Sequence, residues 1–259
     1  MKLFSPEHLA AIAATALAAV LLTLAVRRLM AAGEGGGAND PRGPGVIRHT
    51  PTAEGAGAAI TIARLLGLAI LAGFVVEQVT YAARGTWSAD VNLPLQLSDA
   101  VTLVAIAGLW LPRAGLLTEL VWFWAFSASL QAVLTPDLGY AFPDVLYFTY
   151  FVTHSGAIVA ACVLVLGRGL LPRPGAVKRV YVATGAFAAL AAIGCLATGG
   201  NYMFLRDKPS NGSILDAFGP WPVYLLAAAA LGLAMLLVLD AIARWLRRRE
   251  GRAAAEGAR

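Results

Sequence analysis

The chain has 259 residues, of which 59% are hydrophobic and only 14% are charged, and its mean hydropathy is +0.70. These values exclude an ordinary soluble domain and indicate an integral membrane protein. The net charge of +5 does not indicate nucleic-acid binding, because the basic residues stand at the ends of apolar stretches, where they contact anionic lipid headgroups.

Seven apolar stretches each approach the roughly 20 residues that an α-helix needs to cross the hydrocarbon core. If the stretches alternate in direction, about 16 of the 20 Lys and Arg residues lie on the same side. Lys and Arg collect in the cytoplasm, so the pattern predicts an outside N-terminus and a cytoplasmic C-terminus in a multi-pass membrane protein. We predict an all-α membrane protein, one domain over 1–259, with spans at 9–30, 58–83, 93–112, 115–135, 145–167, 177–198 and 220–243.

Two predicted cytoplasmic segments lack hydrophobic periodicity. Residues 32–56 are rich in Gly and Pro, which predicts a flexible linker without a core of its own. Residues 246–259 are basic, which predicts a helix end that frays into a tail and attaches to anionic lipid.

The outer loop 199–222 has the residues of an ordered segment. Ser213 and Asp216 have the spacing of a capping box in front of a short apolar run, which predicts a short amphipathic helix at the outer surface. We expect Trp221 and Tyr224 to lie in the aromatic belt where the last span begins.

Polar side chains within the spans are informative because each ionisable group costs at least about 2.5–3.5 kcal/mol at mid-depth. The predicted topology places most of them in the outer half of the membrane. We therefore predict an outward-facing polar pocket that spans two to six form and the loop 199–222 covers. Its members would be Glu77, Gln96, Ser98, Asp99, Ser127, Gln131, Tyr147, Tyr150, His154, Thr198, Asn201 and Tyr202.

Each of the main candidates has a structural alternative. His154, the only His inside a predicted span, could be a general acid or base, or a buried neutral imidazole bonded to Tyr or Gln. Asp99 could orient that imidazole, bind a cation, or join two helices. Ser98 could be a nucleophile or a small packing residue. Glu77 and Arg84 stand at i, i+7, which predicts a structural ion pair at the outer boundary.

Four stretches resemble a known family: LPLQLSD (93–99), QAVLTPD (131–137), YFTYFVTH (147–154) and NYMFLRDKPSNGSILDAFGPWP (201–222). Together they are similar to the YwaF-type bacterial integral membrane proteins. That family is distantly similar to eukaryotic multi-pass phospholipid acyltransferases and to fatty-ester hydrolases of the androgen-induced type. The resemblance implies a nucleophile at Ser98, where relatives often have Cys, and a catalytic His at His154.

Two function hypotheses follow. The first is a lipid-acting acyltransferase or ester hydrolase, with Ser98 as nucleophile, His154 as base, Asp99 as orienting carboxylate and Asn201 or Gln131 as oxyanion donor. The second is a non-enzymatic protein that binds or transports a small polar solute.

The predicted partners are membrane lipids, and a lipid substrate or small polar solute. No nucleic acid, cofactor or metal is predicted, and the oligomeric state is left open. The predicted substrate contacts are Glu77, Gln96, Gln131, Tyr150, Asn201, Tyr202 and Arg206.

Overall fold

The computed structural model describes residues 3–31, 52–111, 115–209 and 214–256, and within these ranges all regular structure is helical. The helices are α1 (Pro6–Ala31), α2 (Ala53–Ala83), α3 (Leu97–Trp110), α4 (Gly115–Trp124), α5 (Leu130–Leu134), α6 (Val145–Cys162), α7 (Ala176–Thr198) and α8 (Val223–Glu256). Two π-helical segments, π1 (Ala125–Ser129) and π2 (Val163–Gly167), continue α4 and α6. Two 3₁₀ turns lie in the last described loop, at Tyr202–Phe204 and Ile214–Phe218.

Six helices of the described chain are long and apolar enough to cross a membrane, with α4, π1 and α5 counting as one and α6 with π2 as another. The predicted span 93–112 corresponds to α3, whose 14 residues reach only ~21 Å at 1.5 Å per residue. Pro94 lacks a backbone N–H and disfavours helix in the residue before it, so α3 begins later than predicted. The multi-pass architecture is confirmed, whereas the seventh crossing and the orientation stay predictions.

Two predicted segments are more helical than expected. α2 already begins at Ala53, because the Thr52 hydroxyl caps it by accepting the Gly55 N–H at 3.1 Å. The last residues of the predicted linker 32–56 are therefore helix, and 32–51 lie outside the described residues. α8 continues through most of the predicted tail, as far as Glu256.

α6 is the central helix of the bundle. It contacts α1, α2, α3, α4 and α5. Of the most apolar 18 residues of α6 and π2, 78% are buried inside the protein, compared with 17% for α1 and 11% for α8. Its sequence permits this position because no charged residue occurs between 145 and 167. Two glycines bring α2 and α6 close together: an added Cβ would lie 2.6 Å from Val152 at Gly73, and 2.5 Å from Ile70 at Gly156.

An ion pair joins α2 and α6 at one end of the bundle, which we call the Arg84 end. Arg84 Nη1 lies 3.0 Å from Asp144 Oδ2, so the predicted Glu77–Arg84 ion pair is wrong. Arg84 directly follows the last residue of α2 and reaches across to the next helix. Asp144 also caps α6 by accepting the Leu146 N–H at 2.8 Å. That hydrogen bond and the Arg84 guanidinium hold the pKa of Asp144 below its usual range.

The opposite end, which we call the Glu119 end, contains a buried carboxylate. Glu119 is only 1% exposed and accepts Arg173 Nε at 2.9 Å and Arg179 Nη2 at 2.8 Å. Two guanidiniums compensate the cost of burying this charge and tie α4 to the start of α7. Arg247 of α8 donates to the carbonyl of Pro172 beside this cluster.

A second histidine, His8, lies inside a membrane-spanning helix, so the expectation that His154 is alone there is wrong. His8 is fully buried near the start of α1. Its Nδ1 accepts the Phe4 N–H at 3.0 Å, and its Nε2 lies 2.8 Å from the Val133 carbonyl. Because a carbonyl can only accept, Nε2 carries the proton. His8 thus holds α1 against the end of α5.

The last loop has a 3₁₀ turn and side-chain hydrogen bonds within 199–209, but its short helix differs from the prediction. Residues Ile214–Phe218 form a 3₁₀ turn, and the predicted cap Ser213 lies outside the described residues. Trp221 is exposed, as a belt residue would be, whereas Tyr224 is buried and donates to the Phe204 carbonyl at 2.6 Å. The belt prediction for Tyr224 is therefore wrong.

The close α2–α6 contact gives a stability prediction. Gly156→Ala should lower the free energy of unfolding by about 1–3 kcal/mol, because the new methyl group overlaps Ile70. Gly185→Ala is the matched control, since nothing lies within 4 Å of its added Cβ. It should leave stability unchanged or raise it by about 0.5–1 kcal/mol, because Ala favours helix. The measurement is the thermal unfolding midpoint in detergent; equal midpoints for the two variants would contradict the close contact.

Candidate functional site

Two acidic side chains, Glu77 and Asp99, lie at the same level of the bundle. An added Cβ on Gly67 would lie 3.4 Å from Leu109 Cβ, so those positions are level. Because α2 and α3 are antiparallel, ten residues forward from Gly67 and ten back from Leu109 give the level of Glu77 and Asp99. Their carboxyl groups lie within electrostatic range of each other. Neither carboxylate forms an ion pair with any described residue.

The tyrosines around this pair link it to α6. Asp99 and Glu77 both lie within electrostatic range of Tyr81 on α2 and Tyr150 on α6. The Tyr150 hydroxyl donates to the Ala132 carbonyl at 2.9 Å, so its only proton is used inside the protein. Within the described ranges no group of three or more His, Cys, Asp or Glu side chains is placed to hold a metal ion.

His154 lies deeper than the acidic pair. An added Cβ on Gly73 would lie 3.7 Å from Thr153 Cγ2, so Glu77, four residues later on the antiparallel α2, is level with position 149 of α6. His154 is five residues further along α6, or ~7.5 Å at 1.5 Å per residue. Side chains of a helix lean toward its N-terminus, which brings the imidazole back toward the acidic pair.

The orientation of the His154 imidazole follows from its hydrogen bonds. Nδ1 lies 2.8 Å from the Tyr150 carbonyl and 3.2 Å from the Thr153 hydroxyl, and the Tyr150 ring stacks on the imidazole at 4.2 Å. A carbonyl can only accept, so the proton of the neutral ring is on Nδ1. Nε2 then presents a lone pair and has no hydrogen-bond partner among the described residues. The Tyr150 carbonyl thus makes the orienting contact that the sequence assigned to Asp99.

Ser98 lies in the first turn of α3 and is half-buried. Its carbonyl accepts the Thr102 hydroxyl at 3.0 Å, and its own hydroxyl makes no hydrogen bond to a described residue. In particular, no hydrogen bond joins Ser98 to His154. The structure places both on the same three-helix unit of α2, α3 and α6, whose members all contact one another.

Gln96 and Asn201, predicted as substrate contacts, use their side chains to build the loop. Gln96 Oε1 accepts the Met203 N–H at 2.7 Å, and its Nε2 donates to the Asn201 carbonyl at 3.5 Å. Asn201 Oδ1 accepts the N–H groups of Arg206 and Asp207, and its Nδ2 donates to the Asp207 carbonyl at 2.7 Å. These amides fold the loop and fix it on the start of α3.

Tyr202 and Arg206 act in the same way. The Tyr202 ring is fully buried; its hydroxyl donates to the Ala89 carbonyl at 2.6 Å and accepts the Leu93 N–H at 3.2 Å. The exposed Arg206 guanidinium donates to the Gly199 carbonyl at the end of α7. Together with Gln96 and Asn201, these side chains hold the loop 199–209 over the start of α3, and we call this loop the cover.

The segment π1 changes which polar residues face the interior. The sequence predicted both Ser127 and Gln131 as members of the pocket, but the wider π turn alters the register. Ser127 donates to the Phe123 carbonyl at 2.7 Å, and Gln131 is exposed. Ser129 is fully buried instead, and its hydroxyl has no partner among the described residues. Sequence reasoning missed Ser129, since no motif marks a π segment, although such segments are frequent at functional sites.

The comparison with protein families identifies the chain. The profile of the TMEM164 family matches residues 3–240, so the chain belongs to the TMEM164 family and is an integral membrane protein. Neither the curated proteins nor the solved structures include a match.

The hydrogen bonds of the cover give a prediction on local stability. Asn201→Ala removes the acceptor of two backbone N–H groups, which should lower the free energy of local opening of the loop by about 1–3 kcal/mol. Trypsin should then cleave after Arg206 at least about fivefold faster, because ~1.4 kcal/mol corresponds to a factor of ten. Gln131→Ala is the control, because its side chain is exposed and should leave the cleavage rate unchanged. An unchanged rate in Asn201→Ala would show that these bonds do not hold the loop.

Proposed function

We propose that this member of the TMEM164 family is a lipid-acting acyltransferase or ester hydrolase of the bacterial inner membrane, with His154 as general base and Ser98 as nucleophile. The observation that carries the proposal is the His154 imidazole, whose Nε2 lone pair has no partner among the described residues. An imidazole in this state can take a proton from a hydroxyl. The resemblance to multi-pass acyltransferases and fatty-ester hydrolases implies the same two residues.

In the proposed reaction, Ser98 Oγ attacks the carbonyl carbon of a lipid ester while His154 Nε2 takes the hydroxyl proton. The tetrahedral intermediate collapses, the ester C–O bond breaks, and the alcohol leaves with the proton from His154. The acyl group on Ser98 then passes to the hydroxyl of an acceptor lipid or to water, with His154 again serving as base. The described hydrogen bonds do not join Ser98 to His154, so substrate binding would have to bring Ser98 Oγ within hydrogen-bond distance of Nε2 before the attack.

The oxyanion donors would be backbone groups. Asn201 spends its side chain on the loop, and Gln131 is exposed, so both sequence-based candidates are poorly placed for this role. Leu97 and Ser98 open α3, and their N–H groups have no backbone partner among the described residues. N–H groups at a helix start stabilise developing negative charge.

A second candidate function rests on the acidic pair. Glu77 and Asp99 share one level of the bundle, and no described residue forms an ion pair with either. Two such carboxyls would favour a small cationic solute, as in a non-enzymatic binding or transport protein.

A serine-reactive fluorophosphonate probe on the purified full-length protein separates the two functions. We expect labelling of the native protein and none of Ser98→Ala. His154→Ala should label at least about 100-fold more slowly, because a general base contributes about 10²–10⁴. Ser129→Ala, which removes a buried hydroxyl on π1, should label normally.

Unchanged labelling of Ser98→Ala would contradict the proposed nucleophile, and its loss in Ser129→Ala would move that role to π1. If no serine is labelled while Asp99→Asn and Glu77→Gln each abolish binding of tetramethylammonium, the second function is favoured.

A further inference from the structure

A long concave surface lies on another side of α6, between α1, α2 and α6, and we call it the α1 groove. Its volume is about 700 Å³, which is within the roughly 300–1,000 Å³ of ligand sites. Of the residues that the sequence assigned to the polar pocket, Tyr147 is the one that lines it. Small side chains make it concave, and its walls include Ala10, Ala14, Ala18, Ile70, Ser155 and Gly156.

The hydroxyl groups of the groove wall already have hydrogen-bond partners inside the protein. The hydroxyls of Thr15 and Ser155 bind each other at 2.6 Å, and the Tyr147 hydroxyl donates to the Glu7 carbonyl at 2.8 Å. The lining runs along α1 from Glu7 to Leu22, or ~22 Å, against a hydrocarbon core of ~30 Å. A long apolar trough inside the membrane fits an extended acyl chain.

The mouth of the groove carries three aromatic rings and a carboxylate. Phe142, Tyr147 and Phe148 form a cluster of rings whose centroids are 5.6–5.8 Å apart, and all three line the groove. Glu7 is exposed at the same mouth and pairs with no cation among the described residues. Aromatic faces and a carboxylate together attract an ammonium group.

We propose that the α1 groove binds a zwitterionic phospholipid whose headgroup ends in an ammonium. One acyl chain lies along α1, and the ammonium lies between Glu7 and the three rings. Charge complementarity selects this occupant, because an anionic headgroup would meet the Glu7 carboxylate. The inference goes beyond the proposed function, since it uses neither Ser98 nor His154.

Photo-crosslinking tests the proposal on the full-length protein in phosphatidylcholine vesicles. The probe is a trace of phosphatidylcholine with a mid-chain diazirine, and the comparison probe is phosphatidylglycerol with the same chain. Mass spectrometry should place most phosphatidylcholine crosslinks in 6–22 and 142–159. Ala14→Phe fills the groove and should lower these crosslinks at least about fivefold, because a loss of ~1 kcal/mol in binding free energy weakens the affinity by about that factor. Ala13→Phe, one position off the groove, should not.

The headgroup contact has its own variant. Glu7→Gln should reduce the excess of phosphatidylcholine over phosphatidylglycerol crosslinks, while the Tyr147 hydroxyl still binds the backbone at position 7. If Ala14→Phe does not fold, Ala10→Phe blocks the groove nearer its mouth. Crosslinks spread evenly over all lipid-facing helices, or unaffected by these groove variants, would overturn the proposal. Equal labelling by the two probes would overturn the ammonium contact. Because no readout uses catalysis, these results are independent of the proposed enzyme.

Discussion

The close contact of α2 and α6 at Gly73 and Gly156 sets the arrangement of the bundle. A side chain at either glycine would overlap its neighbour, so the helices could not approach as they do. Hydrocarbon gives no hydrophobic drive to pack helices together, and contact between small residues supplies van der Waals attraction instead. The same contact fixes the level of Glu77 relative to His154, so the polar groups depend on packing residues that carry no chemistry themselves.

Some polar side chains in this protein form hydrogen bonds that complete the fold, and others have atoms without a hydrogen-bond or ion-pair partner among the described residues. Gln96 and Asn201 bind backbone groups of the last loop, which needs such partners because it lacks regular structure. The Tyr202 hydroxyl joins that loop to Ala89, in the connection between α2 and α3. Inside the three-helix unit, the Ser98 hydroxyl and His154 Nε2 make no hydrogen bond to a described residue, and Glu77 and Asp99 form no ion pair with one. Sorting polar residues by their contacts therefore narrows the site to Ser98, His154 and the two carboxyls, whereas sorting by type does not.

The sequence predicts the long helices well, because hydropathy and charge are summed over twenty neighbouring residues and local errors cancel. Single side chains are harder. The π1 turn moved Gln131 outward and Ser129 inward, since one wider turn changes the phase of every residue after it. Arg84 forms its ion pair with Asp144 at the start of α6, and spacing along α2 cannot reveal a contact with another helix. His8 was overlooked because its burial depends on α5, which lies far away in the chain.

The candidate site and the α1 groove use different residues of α6. His154 and Ser155 are neighbours in sequence, and successive residues of a helix point about 100° apart. Ser155 lines the α1 groove and bonds to Thr15, whereas His154 is absent from that lining. A lipid in the proposed groove would therefore contact a face of α6 whose lining does not include the imidazole. In the two proposals, the ester would reach His154 from the side of α3, which carries Ser98, and the groove lipid would be a structural partner of α1 and not the substrate.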